Sequence, residues 1–372
     1  MKLSYGRVGA LALTGALALT LTACGSDDPV GAASGTATDA GSSTSTLSGE
    51  LNGAGASSQE SAMEAWRAGF QSANPDVTVN YDPVGSGGGR TQFLDGGVLF
   101  AGSDSALTAD ELAQSTARCF GESAVDVPVY VSPIAVVFNL EGVDTLNLSP
   151  AVIAGIFDGK ITSWDAPEIA AENPGVTLPA LAITTVHRSD ESGTTKNFTD
   201  YLAKASGGAW AYDASGDWPI AGGQSAQGTS GVIQTVQSAQ GTIGYADASK
   251  AGSLGTASIK VGDAWVAPSE ESAAAALDAS PRDDSRAEND VVIKLDRTTT
   301  EAGAYPLVLV SYGVACLAYD TQEDADLVKA FLTYVVSEDG QKASESAAGS
   351  APISDALRTD VQAAIDAITV AS

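Results

Sequence analysis

The chain is poor in the groups on which most protein chemistry relies. A single histidine among 372 residues leaves little from which to build a zinc or haem site. Its three cysteines show neither CxxC spacing nor Cys/His clustering, so neither a metal nor a cofactor is expected. Basic residues are scarce as well. Eighteen Lys and Arg stand against 46 Asp and Glu, a formal net charge of −28. They are scattered singly, no basic stripe exists to neutralise phosphates, and nucleic acid is excluded as a partner. The same acidity argues against adsorption to anionic membrane surfaces and suits a solvated exterior. There is no GxSxG elbow, and His187 and Asp190 lie too close in sequence for a hydrolase triad. The lack of metal-ligand clusters disfavours a phosphatase. No enzyme is expected. Two glycine segments fail as nucleotide loops. AGIFDGKIT (154–162) has Ala154 where a Walker A loop needs glycine and Ile161 where it needs Ser or Thr, and GSGGGR (85–90) is not GxGxxG. No internal repeat is visible.

The organised features begin at the N-terminus. Lys2 and Arg7 precede an apolar run from Val8 to Leu21, too short to span a bilayer comfortably. This is the pattern of a secretory signal over residues 1–23. It ends in Leu21-Thr22-Ala23-Cys24, which resembles a bacterial lipobox and implies lipidation of Cys24; an ordinary signal peptide with a chance cysteine is the alternative. Residues 24–46 are dominated by Gly, Ser, Thr and Ala and read as a flexible tether. The expected location is outside the cytoplasm, anchored through Cys24 to the outer face of the cytoplasmic membrane. The remaining pair, Cys119 and Cys316, suggests a disulfide in an exported protein. Two separately buried thiols are the alternative.

The length fits about two domains. Strand-like runs at 77–81, 127–131, 135–140, 181–186, 291–295 and 306–319 alternate with helix-like ones. ESAMEAWRAGFQS (60–72) aligns Met63, Trp66 and Phe70. TTKNFTDYLAKAS (194–206) aligns Phe198, Tyr201 and Leu202. DADLVKAFLTYVVS (324–337) aligns Leu327, Phe331, Tyr334 and Val335. The class is α/β. Residues 269–289 are polar and weakly patterned, and read as an irregular surface excursion.

Three segments share one design. Gly53 to Glu60 (GAGASSQE) leads into the first helix, with Ser57 and Glu60 spaced as a capping box. GSGGGR (85–90) follows the strand at 77–81. Ser192-Gly193-Thr194 opens the helix at 194–206, with Arg188 close by. Each puts hydroxyls and glycines where the first N–H groups of a helix lack partners, which suits an anion. For any one elbow a simple cap and turn is the alternative. A fourth segment, FAGSDS (100–105), looks like a buried strand end carrying Asp104. An acid beside an anion site makes sense if the anion carries a proton, as phosphate does at neutral pH and sulfate does not. A turn or cap aspartate is the alternative.

Taken in order, these pieces resemble the high-affinity phosphate-binding proteins (PstS family) that feed Pst-type ABC transporters. The matching segments are GAGAS (53–57), GSGGG (85–89), FAGSDSAL (100–107), IFDGKITSWDAPEI (156–169) with NPGVTLP (173–179), RSDESGTT (188–195) and GTIGYAD (241–247). The resemblance implies a two-lobe, type II periplasmic-binding-protein fold, with mixed sheets flanked by helices and a ligand cleft between lobes. The crossings are expected near Val131–Pro133 and Tyr305–Pro306. Lobe one is then 47–131 plus 306–372, and lobe two 132–305. By the same resemblance Ser57 and Ser86 are hydroxyl donors and Ser58 gives a backbone N–H. Asp104 accepts the phosphate proton, Arg188 is the cationic donor, Asp190 orients it, and Ser192, Gly193 and Thr194 supply hydroxyl and backbone donors. Three positions depart from the family. Ser58 stands where phenylalanine is frequent, Glu191 where glycine is common, and His187 where a second basic residue is often seen. The implied role is capture of inorganic phosphate for an ABC importer's permease subunits, by a monomer. A binding protein for sulfate or molybdate, or a fold-retaining sensor or adhesin, are the competing readings.

Overall fold

The computed structural model describes residues 47–372. The signal segment, the tether and Cys24 lie outside the described residues. In chain order the first elements are β1 (Gly49–Gly55), α1 (Glu60–Ala73), β2 (Val77–Asp82), α2 (Ser86–Leu94), β3 (Phe100–Ser103) and α3 (Ala109–Arg118). Next come β4 (Ala124–Phe138), β5 (Thr145–Leu148), α4 (Pro150–Phe157), α5 (Pro167–Glu172), β6 (Thr184–Arg188) and α6 (Gly193–Ala205). They are followed by β7 (Gln224–Ala226), α7 (Gly228–Gln237), β8 (Thr242–Asp247), β9 (Gly255–Val261), β10 (Ala264–Val266) and α8 (Glu270–Asp278). The last are β11 (Val308–Cys316), β12 (Ala318–Tyr319), α9 (Gln322–Val336), α10 (Glu338–Ala348), α11 (Asp355–Asp366) and β13 (Thr369–Val370). Among the described residues no helix is long and apolar enough to cross a membrane.

One mixed sheet runs β2-β1-β3-β11-β4-β8-β6-β7, with β9, β5 and β10 continuing from β4. The two runs at 127–131 and 135–140 are a single strand, β4, buried along its whole length. Its residues Ala124–Pro133 pair with β11, whereas Ile134–Phe138 pair with β8. β4 therefore changes partner just after Pro133, a residue with no N–H to give the ladder. β1 lies parallel to β2 and β3, and β6 parallel to β7 and β8.

The apolar periodicity explains the packing. Met63, Trp66 and Phe70 of α1 are buried, and Phe70 and Phe100 both meet Phe331 of α9 edge-on or tilted, with ring centroids 5.4 Å apart in each case. Under α6, Phe198 stacks on Tyr245 at 4.2 Å and meets Phe157 at 4.9 Å. Cys119, at the end of α3, and Cys316, at the end of β11, are joined in a disulfide. On β8, Asp247 is buried and accepts from the Tyr130 hydroxyl at 3.1 Å; burial pushes its carboxyl up to about 6.

Three local expectations are corrected. VVIKL (291–295) makes no strand, only an isolated bridge from Ile293 to Arg282; Val291 N–H reaches the Asp126 carbonyl of β4 at 2.9 Å, but the Asp126 N–H that would continue a ladder goes to the Asp290 side chain at 2.9 Å. The stretch at 269–289 is not merely a surface excursion. Ser269 caps α8 in a reciprocal box, Ala273, Ala276 and Leu277 are buried, and Arg286 clamps buried Asp126 and Asp290 at 2.7 Å each. Burial first and Asp290 second hold the Asp126 carboxyl well above the ordinary range. The capping box of Ser57 and Glu60 does not form. The chain enters α1 through a 3-10 turn at Ser57–Gln59, and both side chains bond elsewhere.

Candidate anion-binding site

The elbows gather at the C-terminal ends of parallel strands, where ligands of open α/β sheets bind. Ser57 follows β1, Ser86 follows β2 and Asp104 follows β3. Arg188 ends β6, and Gly228 and Thr229 follow β7. Gly85 turns the chain after β2 with a φ of +97°, and a Cβ there would sit 2.3 Å from Asp190 Oδ2. The glycine-rich stretch after it is helical despite its low propensity. Gly89 lies so close to β1 that a Cβ would meet Gly55 Cα at 2.3 Å, which sets α2 directly against the strand.

Asp104 is the hub of the cluster and is only 3 % exposed. Its Oδ1 accepts from the Ser58 and Ser311 hydroxyls, both at 2.6 Å, and its Oδ2 accepts from the Thr194 hydroxyl at 2.8 Å. Its N–H donates to Ser86 Oγ at 3.1 Å. Gly193 lies against both, since a Cβ there would be 2.6 Å from Ser86 Oγ and 2.7 Å from Asp104 Cβ. Ser192 caps α6 by accepting the Thr195 N–H at 3.2 Å, which leaves its own hydroxyl proton free to donate. Ser58 thus contributes its hydroxyl, where only its backbone N–H was expected to matter.

Arg188 is buried and grips Asp190 with two N–H groups, Nε to Oδ1 at 2.8 Å and Nη2 to Oδ2. Asp190 Oδ1 also accepts the Gly228 N–H at 3.1 Å. The next residue, Thr229, donates its N–H to Ser57 Oγ at 3.0 Å. A continuous polar chain therefore runs from Arg188 through Asp190 and Thr229 to Ser57. Such a bidentate pair fixes the plane of the guanidinium. Tyr245 supports it from below. Its hydroxyl takes the Arg188 N–H at 3.4 Å and pairs with Thr195 Oγ1 at 2.8 Å, and burial pushes its pKa up to about 12.

All nine residues singled out in the sequence, Ser57, Ser58, Ser86, Asp104, Arg188, Asp190, Ser192, Gly193 and Thr194, belong to this cluster or to the turns that carry it. Several others escaped the sequence reading. Ser311 reaches Asp104 from β11 at the point where the register with β4 shifts; its signal was a lone hydroxyl in an apolar strand. Asn197 donates to the Asp104 carbonyl at 2.6 Å and the Gly193 carbonyl at 2.9 Å. Buried Arg297 takes the other end of that amide and also donates to the Pro306 and Val308 carbonyls at 2.9 and 2.6 Å. A guanidinium only donates, so Arg297 fixes which way the Asn197 amide faces. Arg90, the last residue of GSGGGR, pairs with Glu111 at 2.8 Å and Glu191 at 3.2 Å. Burial works against its charge, and the two carboxylates more than offset this, so its pKa lies above the arginine norm. His187 stacks on Trp218 at 5.0 Å, its ring nitrogens facing the Arg188 and Gly222 carbonyls. A groove of about 300 Å³ runs past Asp104, Asn197 and Tyr312, but Ser57, Ser58, Arg188 and Ser192 do not line it. Among the described residues no group of three or more His, Cys, Asp or Glu could hold a metal ion.

A family model described as a PBP superfamily domain matches residues 38–339. The chain is 36 % identical over 373 residues to phosphate-binding protein PstS 3 of Mycobacterium tuberculosis, covering 97 % of both chains. The chain belongs to the PstS family of phosphate-binding proteins. A second relative, PstS of Xylella fastidiosa, is 34 % identical over 341 residues and covers 87 % of this chain and 88 % of its own. Among solved structures, the phosphate-binding protein from Stenotrophomonas maltophilia superposes with a TM-score of 0.66 at 22 % identity, over 85 % of this chain and 93 % of that one. A high-affinity periplasmic phosphate-binding protein, PfluDING, gives 0.67 at 22 % identity over the same shares. The fold is that of the periplasmic binding proteins, and the PstS relatives are named as phosphate-binding proteins.

Proposed function

We propose that this PstS-family chain captures inorganic phosphate outside the cytoplasm and hands it to the permease subunits of an ABC importer. The observation that carries the reading is the buried Asp104 carboxylate, set among hydroxyls and a helix N-terminus, together with a bidentate-locked arginine tied through Asp190 and the Gly228–Thr229 backbone to Ser57. Neutral dipoles and one cation hold the anion, and an acceptor that sulfate cannot satisfy holds its proton. Ser57, Ser86 and Ser192 each accept a backbone N–H and so keep a hydroxyl proton to turn to an anion oxygen, whereas Ser58 and Thr194 give theirs to Asp104. The PstS names of the relatives support the same ligand.

The lobes are 47–131 plus 306–372 and 132–305, hinged where β4 leaves β11 for β8 and where Arg297 holds the Pro306 and Val308 carbonyls. The mature protein is a monomer, lipid-anchored at Cys24. Calorimetric titration of the body from Leu47 onward, freed of bound anion, tests the ligand. One-to-one phosphate binding with no heat from sulfate is expected; equal binding of sulfate would point to another oxyanion, and no binding of phosphate would overturn the reading. Cys24→Ala is expected to release the exported protein from membranes, and a variant that stays in the membrane fraction would refute the anchor.

A further inference from the structure

Glu191 is an acid placed beside a site for anions, and its side chain has a built slot. Gly87 of α2 and Gly216 leave the space, since a Cβ on either would lie 2.0 or 2.1 Å from a Glu191 carboxylate oxygen. Oε1 accepts from Arg90 Nη2 at 3.2 Å, while Oε2 is buried with no hydrogen-bond partner. Arg90 is itself tied down on the other side. Its Nε bonds Glu111 at 2.8 Å, and its Nη1 bonds the hydroxyls of Ser103 and Ser105 at 3.1 and 3.2 Å, the residues on either side of Asp104. The backbone joins at the same place, with Gly87 N–H 3.4 Å from the Glu191 carbonyl and Ser192 N–H 3.0 Å from that of Gly216. One guanidinium thus links the Asp104 turn and α2 to the turn that opens α6, which are the two walls of the proposed site.

We infer that the Arg90–Glu191 ion pair is a clasp across the anion site that slows the release of bound phosphate. This rests on the phosphate reading above. Glu191 is then not a repulsive group that weakens binding. Its charge is spent on Arg90, and breaking that contact is part of opening the walls. The role is positional, since neither side chain need touch the ligand. Because the Glu191 side chain is 31 % exposed and Arg90 8 %, salt should weaken the clasp in part.

The test is release of radiolabelled phosphate from loaded full-length mature protein into excess unlabelled phosphate, for wild type, Glu191→Gln and Glu191→Gly, across a range of sodium chloride. Release should quicken roughly two- to fivefold in both variants, the association rate should change little, and the salt dependence of release should flatten. Unchanged or slower release, or tighter binding by Glu191→Gln, would overturn the clasp and show Glu191 to be a repulsive acid. Amide exchange of the anion-free protein separates this from the ligand assignment. If wild type binds no phosphate, the clasp still predicts lost protection at residues 86–94 and 190–195 in Glu191→Gly. Equal protection in both proteins would refute it.

Discussion

Replacing Asp104 by Asn removes the charge and one acceptor while keeping the shape. Asn Oδ1 can still accept from Ser58 and Ser311, and the new amide can donate to Thr194 Oγ1 in place of accepting from it. The fold should therefore survive. Protonated phosphate loses one hydrogen bond to a charged acceptor, about 1.5–3 kcal/mol, or roughly 10- to 100-fold in affinity. Sulfate gains, because it no longer brings an anion against a buried carboxylate. Two unit charges at ~4 Å interact by about 4 kcal/mol at an effective dielectric of ~20, which sets a ceiling near 1,000-fold. The phosphate-to-sulfate ratio should thus fall further than phosphate affinity itself. Calorimetric titration of both anions into wild type and Asp104→Asn, at pH 7 and fixed ionic strength, reads both quantities. If phosphate weakens while the ratio stays unchanged, Asp104 is a scaffold for Ser58 and Thr194 and not the acceptor of the phosphate proton.

Two further predictions concern stability. Cys119 and Cys316 are 197 residues apart, so replacing both with serine should remove about 5 kcal/mol of stability on the chain-entropy account; an unchanged urea midpoint would refute this. Burial holds the Asp247 carboxyl up to about 6, above its ordinary value. The folded state therefore binds that proton more tightly than the unfolded chain, and the stability this contributes is present below pH ~4 and lost as pH rises through ~6. Asparagine does not titrate there, so Asp247→Asn should gain on wild type by up to about 3 kcal/mol between pH 4 and pH 7. Parallel urea midpoints for the two proteins at both pH values would sink the argument.

The parts of the site legible in the sequence share one property: their chemistry is local. Arg188, Asp190, Ser192 and Thr194 fall within seven residues, so strand end, cation, cap and helix start can be read as one device. The amphipathic helices were legible for the same reason, because Met63, Trp66 and Phe70 announce their common face at helical spacing. Ser311, Asn197 and Arg297 were not, since each is a single polar residue in an ordinary strand, helix or loop. Their meaning comes only from partners some 90 to 200 residues away. The misreadings follow the same rule. Ser57 and Glu60 have the spacing of a capping box, but Thr229 claims the first side chain, and Lys250 at 3.0 Å with Ser230 at 3.1 Å claims the second. Long-range bonds across the site outcompeted a local cap worth about 1 kcal/mol. The polar stretch at 269–289 looked like solvent-facing chain because its acids are numerous. Only the fold supplies Arg286 with Asp126, an acid on a strand more than 150 residues earlier. Charge alone could not distinguish a solvated aspartate from one docked against an arginine. Glu191 poses the same problem at the site itself. Read locally it repels an anion; placed between Gly87 and Gly216 with Arg90 against it, it belongs to the wall.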